Sequence, residues 1–226
     1  MVFSGELQQA LARLPYFFEV LGLGALTTVG LTIASFVVAV LLGFGLALMR
    51  LSRSAALRWV ASAYLELFRN VPILTQLFIL YFGLTHLGLT LPATVAAIIG
   101  FGLNGAAMLC EVFRSSINNV DRGQSEAAYA IGMTRRMALR IIVLPQAIKV
   151  ALPGLANFAI SLLKDTSLAS AAAVPELAFK ARMLVSETYQ TNLIYCMVAV
   201  IYLALSLVLA RLSHRAEVRL QRGAVK

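Results

Sequence analysis

Long stretches of this chain carry no formal charge. Residues 21–49 form one such run, closed by Arg50. Residues 71–110 form another, interrupted only by Thr85-His86-Leu87-Gly88-Leu89-Thr90. A membrane crossing takes roughly 20 apolar residues, so the second run is too long for one pass. Gly88 and Pro92 supply the turn chemistry that folds it back. The pattern predicts an all-α integral membrane protein, with one transmembrane domain over residues 1–226. Its five spans fall near 21–49, 64–84, 92–113, 151–173 and 192–210, the fourth interrupted by Lys164 and Asp165. Residues 1–20 contain Glu6, Arg13 and Glu19 and lack a basic segment directly before an apolar core. They are expected to stay on the chain as a short polar or interfacial segment, not to be cleaved as a signal.

Composition agrees with the spans. Apolar residues make up 60% of the chain, charged residues 13%, and the mean hydropathy is +0.85. A soluble domain carries roughly 45–50% apolar and about 25% charged residues, and disordered chains are apolar-poor. Both classes are excluded.

The net charge of +9 is explained by topology. Fourteen of the nineteen Lys and Arg lie in segments 50–58, 114–149 and 211–226, while Arg13, Lys180 and Arg182 occupy the other face. Basic loops stay cytoplasmic, which places the N-terminus outside and the C-terminus inside. No nucleic-acid partner is needed, and a basic cytoplasmic face suits anionic membrane lipid. Cys110 and Cys196 sit in apolar runs and give neither a disulfide framework nor metal spacing. His86 and His214 belong to opposite faces, so no metal site is expected.

Ionisable groups at membrane depth usually face a bundle interior, a cavity or a partner. Glu66 and Arg69 lie in the second span, Glu111 ends the third, and Lys164-Asp165-Thr166-Ser167 interrupts the fourth. Asp165, Thr166 and Ser167 read as lining a polar route. Glu66, Arg69 and Glu111 are candidates for the same pathway, with snorkelling or ion pairing near the cytoplasmic boundary as the plainer alternative. Pairing of Asp165 with Lys164 or Arg69 is the competing structural role. Pro72 and Pro153 predict kinks that free backbone carbonyls. Gly100-Phe101-Gly102-Leu103-Asn104-Gly105 matches a dinucleotide fingerprint by letter only, and small residues inside a span read as close helix packing. With no phosphate-binding loop and no catalytic constellation, the chain is expected to be neither an ATPase nor another enzyme.

The longest connection, residues 114–149, has helix-forming composition. Asp121 and Ser125 are candidate caps, Gly132 a stop, and Thr134 a cap for a second helix that Pro145 should break. It offers one small apolar turn, with Ala127 and Ala128 permitting close approach of a partner.

Glu126-Ala127-Ala128, three residues, Gly132, nine residues, Ile142, one residue and Leu144-Pro145 resemble the EAA loop of ABC importer permeases. Phe68-Arg69-Asn70-Val71-Pro72 with Gln76, Glu111-x-x-Arg114, Arg122-Gly123-Gln124 and Lys164-Asp165-Thr166-Ser167-Leu168 resemble the polar amino acid branch. Two departures are Asn70, where glycine is common, and Met108, where tyrosine is.

The resemblance implies a multi-pass bacterial inner-membrane protein with the type I importer permease fold. It would pair with a second copy or a paralogue and take an amino acid from an extracytoplasmic binding protein. It would bind no cofactor itself, ATP and Mg belonging to a separate cytoplasmic ATP-binding subunit. The implied coupling residues are Glu126, Ala127, Ala128, Gly132, Arg135, Leu144 and Pro145, with Arg136 as a further basic contact. An ion-coupled secondary transporter is the alternative, and a structural subunit without a conduit is a third reading. The absence of internal repeats and the odd span number weigh against the secondary transporter.

Overall fold

The computed structural model describes residues 2–222, and the side chains of residues 13–219. Among the described residues all regular structure is helical: α1 (Val2–Arg50), α2 (Ala55–Asn70), α3 (Ile73–Phe78), α4 (Ala93–Asn118), α5 (Arg122–Ala130), α6 (Arg135–Ala138), α7 (Leu144–Asp165), α8 (Leu177–Thr188) and α9 (Thr191–Arg222). A π turn, Ile79–Gly83, prolongs α3, and another, Leu139–Val143, joins α6 to α7. Tighter 3-10 turns cover Leu84–Leu87 and Thr166–Ala172. Four stretches are long and apolar enough to cross a membrane: Arg13–Arg50, Ala93–Asn118, Arg135–Ala172 and Thr191–Arg219. The pair Ala55–Asn70 and Ile73–Leu87, which meet at 100°, is apolar enough to count together as a fifth, broken span.

Two expectations need correction. Residues 2–20 are not a separate interfacial segment, because α1 runs unbroken from Val2. Phe17 and Leu21 are wholly buried against Leu177, Leu184 and Ile194 of α8 and α9, so apolar packing carries the helix through the charged stretch. The kink expected at Pro72 is present and steep: lacking an N–H, Pro72 ends the helical ladder, and α3 leaves at 100°. Pro145, by contrast, breaks nothing. The π turn immediately before it carries a bond from the Leu144 N–H to the Leu139 carbonyl, and the widened turn relieves the clash that a proline ring makes in an α-helix.

The principal packing is α1 against α4, and small residues make it close. A Cβ at Gly43 would stand 3.0 Å from the Ala106 carbonyl oxygen, and one at Gly102 would stand 2.5 Å from Val38. One at Gly105 would meet Ala39 at 2.8 Å and Phe158 at 2.5 Å. The core lies in three clusters along α1. Phe17 and Leu21 anchor the outer one, Leu31 the middle one with Leu77, Phe101 and Ala169, and Ala39 and Ala47 the inner one with Leu65, Leu109 and Phe113.

Candidate functional site

The loop between α4 and α7 is a built corner. Asp121 caps α5, its Oδ1 accepting from the Gly123 N–H at 2.6 Å. Gly132 stops the helix at φ +85°, with the Gly132 N–H on the Tyr129 carbonyl and the Met133 N–H on the Ala128 carbonyl, both at 3.0 Å. Thr134 then caps α6 by accepting from the Met137 N–H at 3.3 Å. Ser125 lies inside α5 and caps nothing.

The two alanines divide. Ala127 is exposed, whereas Ala128 is buried in the chain's own interior and cannot meet a partner; its small side chain suits the packing of α5 on the Leu139–Val143 turn. Arg122, Ser125, Glu126 and Tyr129, at helical spacing, face a cavity of about 1200 Å³ beneath the loop. Its remaining walls include Leu48 at the end of α1 with Leu51 and Arg53 after it, Ile117 at the end of α4 with Val120 after it, and Arg135, Arg136 and Leu139. Ile131 is 77% exposed at the corner, beside exposed Ala127 and Ala130. Leu144 is half-buried and Pro145 exposed at the start of α7, where Gln146 Nε2 donates to Gln124 Oε1 at 3.3 Å and fastens the loop to the helix.

The pathway candidates separate in the same way. Glu111 accepts from Arg114 Nη2 at 2.7 Å and has Arg50 Nη2 at 3.8 Å, so it closes an ion-pair cluster joining α1 to α4. Glu66 and Arg69 are exposed on α2, with Glu66 Oε2 accepting from Asn70 Nδ2 at 2.9 Å. Asp165 is exposed at the end of α7, and no ion pair joins it to Lys164 or Arg69 among the described residues. Thr166 is wholly buried and donates to the Leu163 carbonyl at 2.7 Å, which leaves Ser167, half-buried, as the more available hydroxyl. The 3-10 turn after Asp165 packs against α3, so two interrupted helices meet in one layer.

Comparison with known proteins decides the family. The profile described as "Binding-protein-dependent transport system inner membrane component" matches residues 39–222. The chain belongs to that permease family. The permease is 41% identical over 211 residues to the L-cystine transport system permease protein TcyB of Bacillus subtilis (strain 168), spanning 93% of this chain and 90% of the relative. It is 39% identical over 196 residues to the probable amino-acid ABC transporter permease protein YckA of the same organism, spanning 87% and 85%. Its fold matches a crystal structure of an amino acid ABC transporter with histidines at a TM-score of 0.87 and 35% identity, over 92% of this chain and 97% of that one. It is a multi-pass inner-membrane ABC transporter permease.

One polar cluster of the permease escaped the sequence reading. Glu176, between the fourth and fifth spans, is fully buried. Its carboxylate accepts from the Phe179 N–H at 2.8 Å, the Ala178 N–H at 2.9 Å, Tyr202 Oη at 3.0 Å and Thr28 Oγ1 at 3.4 Å. It caps α8 and ties α1, α8 and α9 together. Burial pushes its pKa up, and the four hydrogen bonds oppose that shift. Pro175 before Glu176, followed by an apolar run, has the form of a helix start and was the available signal.

Proposed function

We propose that the permease forms the membrane conduit of an ATP-driven importer of a polar amino acid, paired with a second permease copy or paralogue. A separate cytoplasmic ATPase, which holds the ATP and Mg, grips the α5 corner. An extracytoplasmic binding protein delivers the substrate. The corner carries this reading: a short helix, capped at one end and stopped by glycine at the other, presents exposed Ile131, Ala127 and Ala130 to a partner and is fastened to α7 behind. Glu126 faces the cavity with Arg53, Arg122, Arg135 and Arg136 around it, so its part is to hold the loop's charge pattern, while Arg135 and Arg136 meet acidic groups of the ATPase. Gly132 sets the corner, and Leu144 and Pro145 start the helix that carries the motion onward.

Asp165 and Glu66 attract the substrate's ammonium group, Ser167 adds a hydroxyl, and Arg69 stands available for the carboxylate. The two interrupted helices support a pathway there, since broken spans expose the backbone groups and helix ends that bind charged ligands. Glu111 is left out of the pathway because Arg50 and Arg114 already neutralise it.

The test is uptake into proteoliposomes holding the permease with a partner ATPase and an extracytoplasmic amino-acid-binding protein. Uptake of radiolabelled amino acids is expected to require ATP and to survive collapse of proton and sodium gradients. Uptake driven by a gradient without ATP overturns the reading.

A further inference from the structure

Pro72 leaves the Phe68 carbonyl without its α-helical donor. Two carboxamides replace that donor from different elements. Gln76 Nε2, on α3, donates to the Phe68 carbonyl at 3.0 Å and to the Val71 carbonyl at 2.8 Å. Asn104 Nδ2, on α4, reaches the same Phe68 carbonyl at 2.8 Å. The Gln76 side chain is buried, and its orientation is fixed, because the reversed amide would set its oxygen against two carbonyls. Tyr64 Oη adds a bond from α2 to the Leu103 carbonyl at 2.8 Å. The 100° bend is therefore braced on both arms and fastened to α4.

From this geometry we propose that Gln76 and Asn104 are positioning residues of translocation: together they lock the Pro72 elbow and α4 into one rigid unit, so that the end of α2 bearing Glu66 and Arg69 moves with α4. The inference rests on the transport reading for its consequence, but the lock itself is measurable without transport. Both amides serve the Phe68 carbonyl, so each single loss leaves that oxygen a donor and only the double loss orphans it; loss of Gln76 also frees the Val71 carbonyl, at the foot of α3 rather than on the joint to α4. The effect is non-additive.

Spin labels at Ala63 on α2 and Met108 on α4, both exposed, report the joint. They are placed in full-length chains carrying Cys196→Ser and diluted with unlabelled copies in nanodiscs. A single narrow distance distribution is expected for the parent, for Gln76→Met and for Asn104→Leu, and a broadened one for the double variant. In proteoliposomes the double variant is expected to lose about tenfold in amino acid moved per ATP hydrolysed, the scale of one buried hydrogen bond. ATPase binding at the distant α5 corner stays unchanged. A narrow distribution with unaltered stoichiometry in the double variant overturns the lock. If the double variant does not fold, equal broadening in both single variants overturns it as well. Failure of the parent to transport, with the distance result intact, rejects the transport reading and leaves the lock standing.

Discussion

Glu176 shows what one side chain does in a lipid-embedded helical bundle. A carboxylate without a counter-charge is costly when buried, and here four donors from α1, α8 and α9 compensate it. Replacing Glu176 with Leu strands two backbone N–H groups and two hydroxyls. The expected cost is about 1–3 kcal/mol, read as a lower melting temperature in detergent. The pH dependence has a definite sign. Burial raises the folded pKa above the ordinary 4.5, so the folded state binds the proton more tightly than the unfolded chain. The stability from this shift is full below pH 4.5 and is lost as the pH rises through the folded value. The stability margin of the parent over Glu176→Gln is therefore expected to be widest at acid pH and to shrink on raising it. A margin independent of pH between 4 and 8 contradicts the assignment. Gly132 is the second residue with a single-site consequence. At φ +85° a side chain costs about 1–2 kcal/mol, so Gly132→Val is expected to displace the α5 corner and weaken ATPase binding while the spans still insert.

At the scale of elements, two prolines have opposite outcomes for a physical reason. Before Pro145 the chain inserts a π turn and stays helical; at Pro72 the chain bends and side chains satisfy the freed carbonyl. Either device removes the unpaired backbone group that lipid cannot solvate. The α1–α4 contact depends instead on absent side chains. Gly43→Leu is expected to force these helices apart and destabilise the bundle by about 1–3 kcal/mol, checked by thermal unfolding, whereas Gly45→Leu, with open space at its Cβ, is expected to be near neutral.

For the whole molecule, the α5 corner and the pair of interrupted helices lie at different levels of the bundle, linked by α7, which runs from Leu144 at the loop to Asp165 at the break. A partner holding the corner can shift the spans only if it binds one of their arrangements more tightly. Ile131→Asp alters an exposed side chain and leaves the fold intact. In a pull-down it is expected to reduce ATPase capture by tenfold or more, with unchanged melting temperature. Unaltered capture argues that the partner does not grip this corner.

The apolar spans and the local form of the 114–149 loop were legible in the chain because they depend on runs of apolar residues and on cap and stop residues that act locally. Asp121, Gly132 and Thr134 perform within a few residues of where they stand. The buried face of α1 was not legible by hydropathy, since a helix in lipid is apolar all round. The stripe Phe17, Leu21, Gly24, Thr28, Leu31, Ser35, Ala39, Gly43 and Ala47 is picked out only by its neighbours. Tertiary structure alone decided that Ala128 points inward, that Glu111 is neutralised by Arg50, and that Glu176, Thr28 and Tyr202 meet. Those facts join residues far apart in the chain, and no local pattern encodes a hydrogen bond between positions 28 and 176.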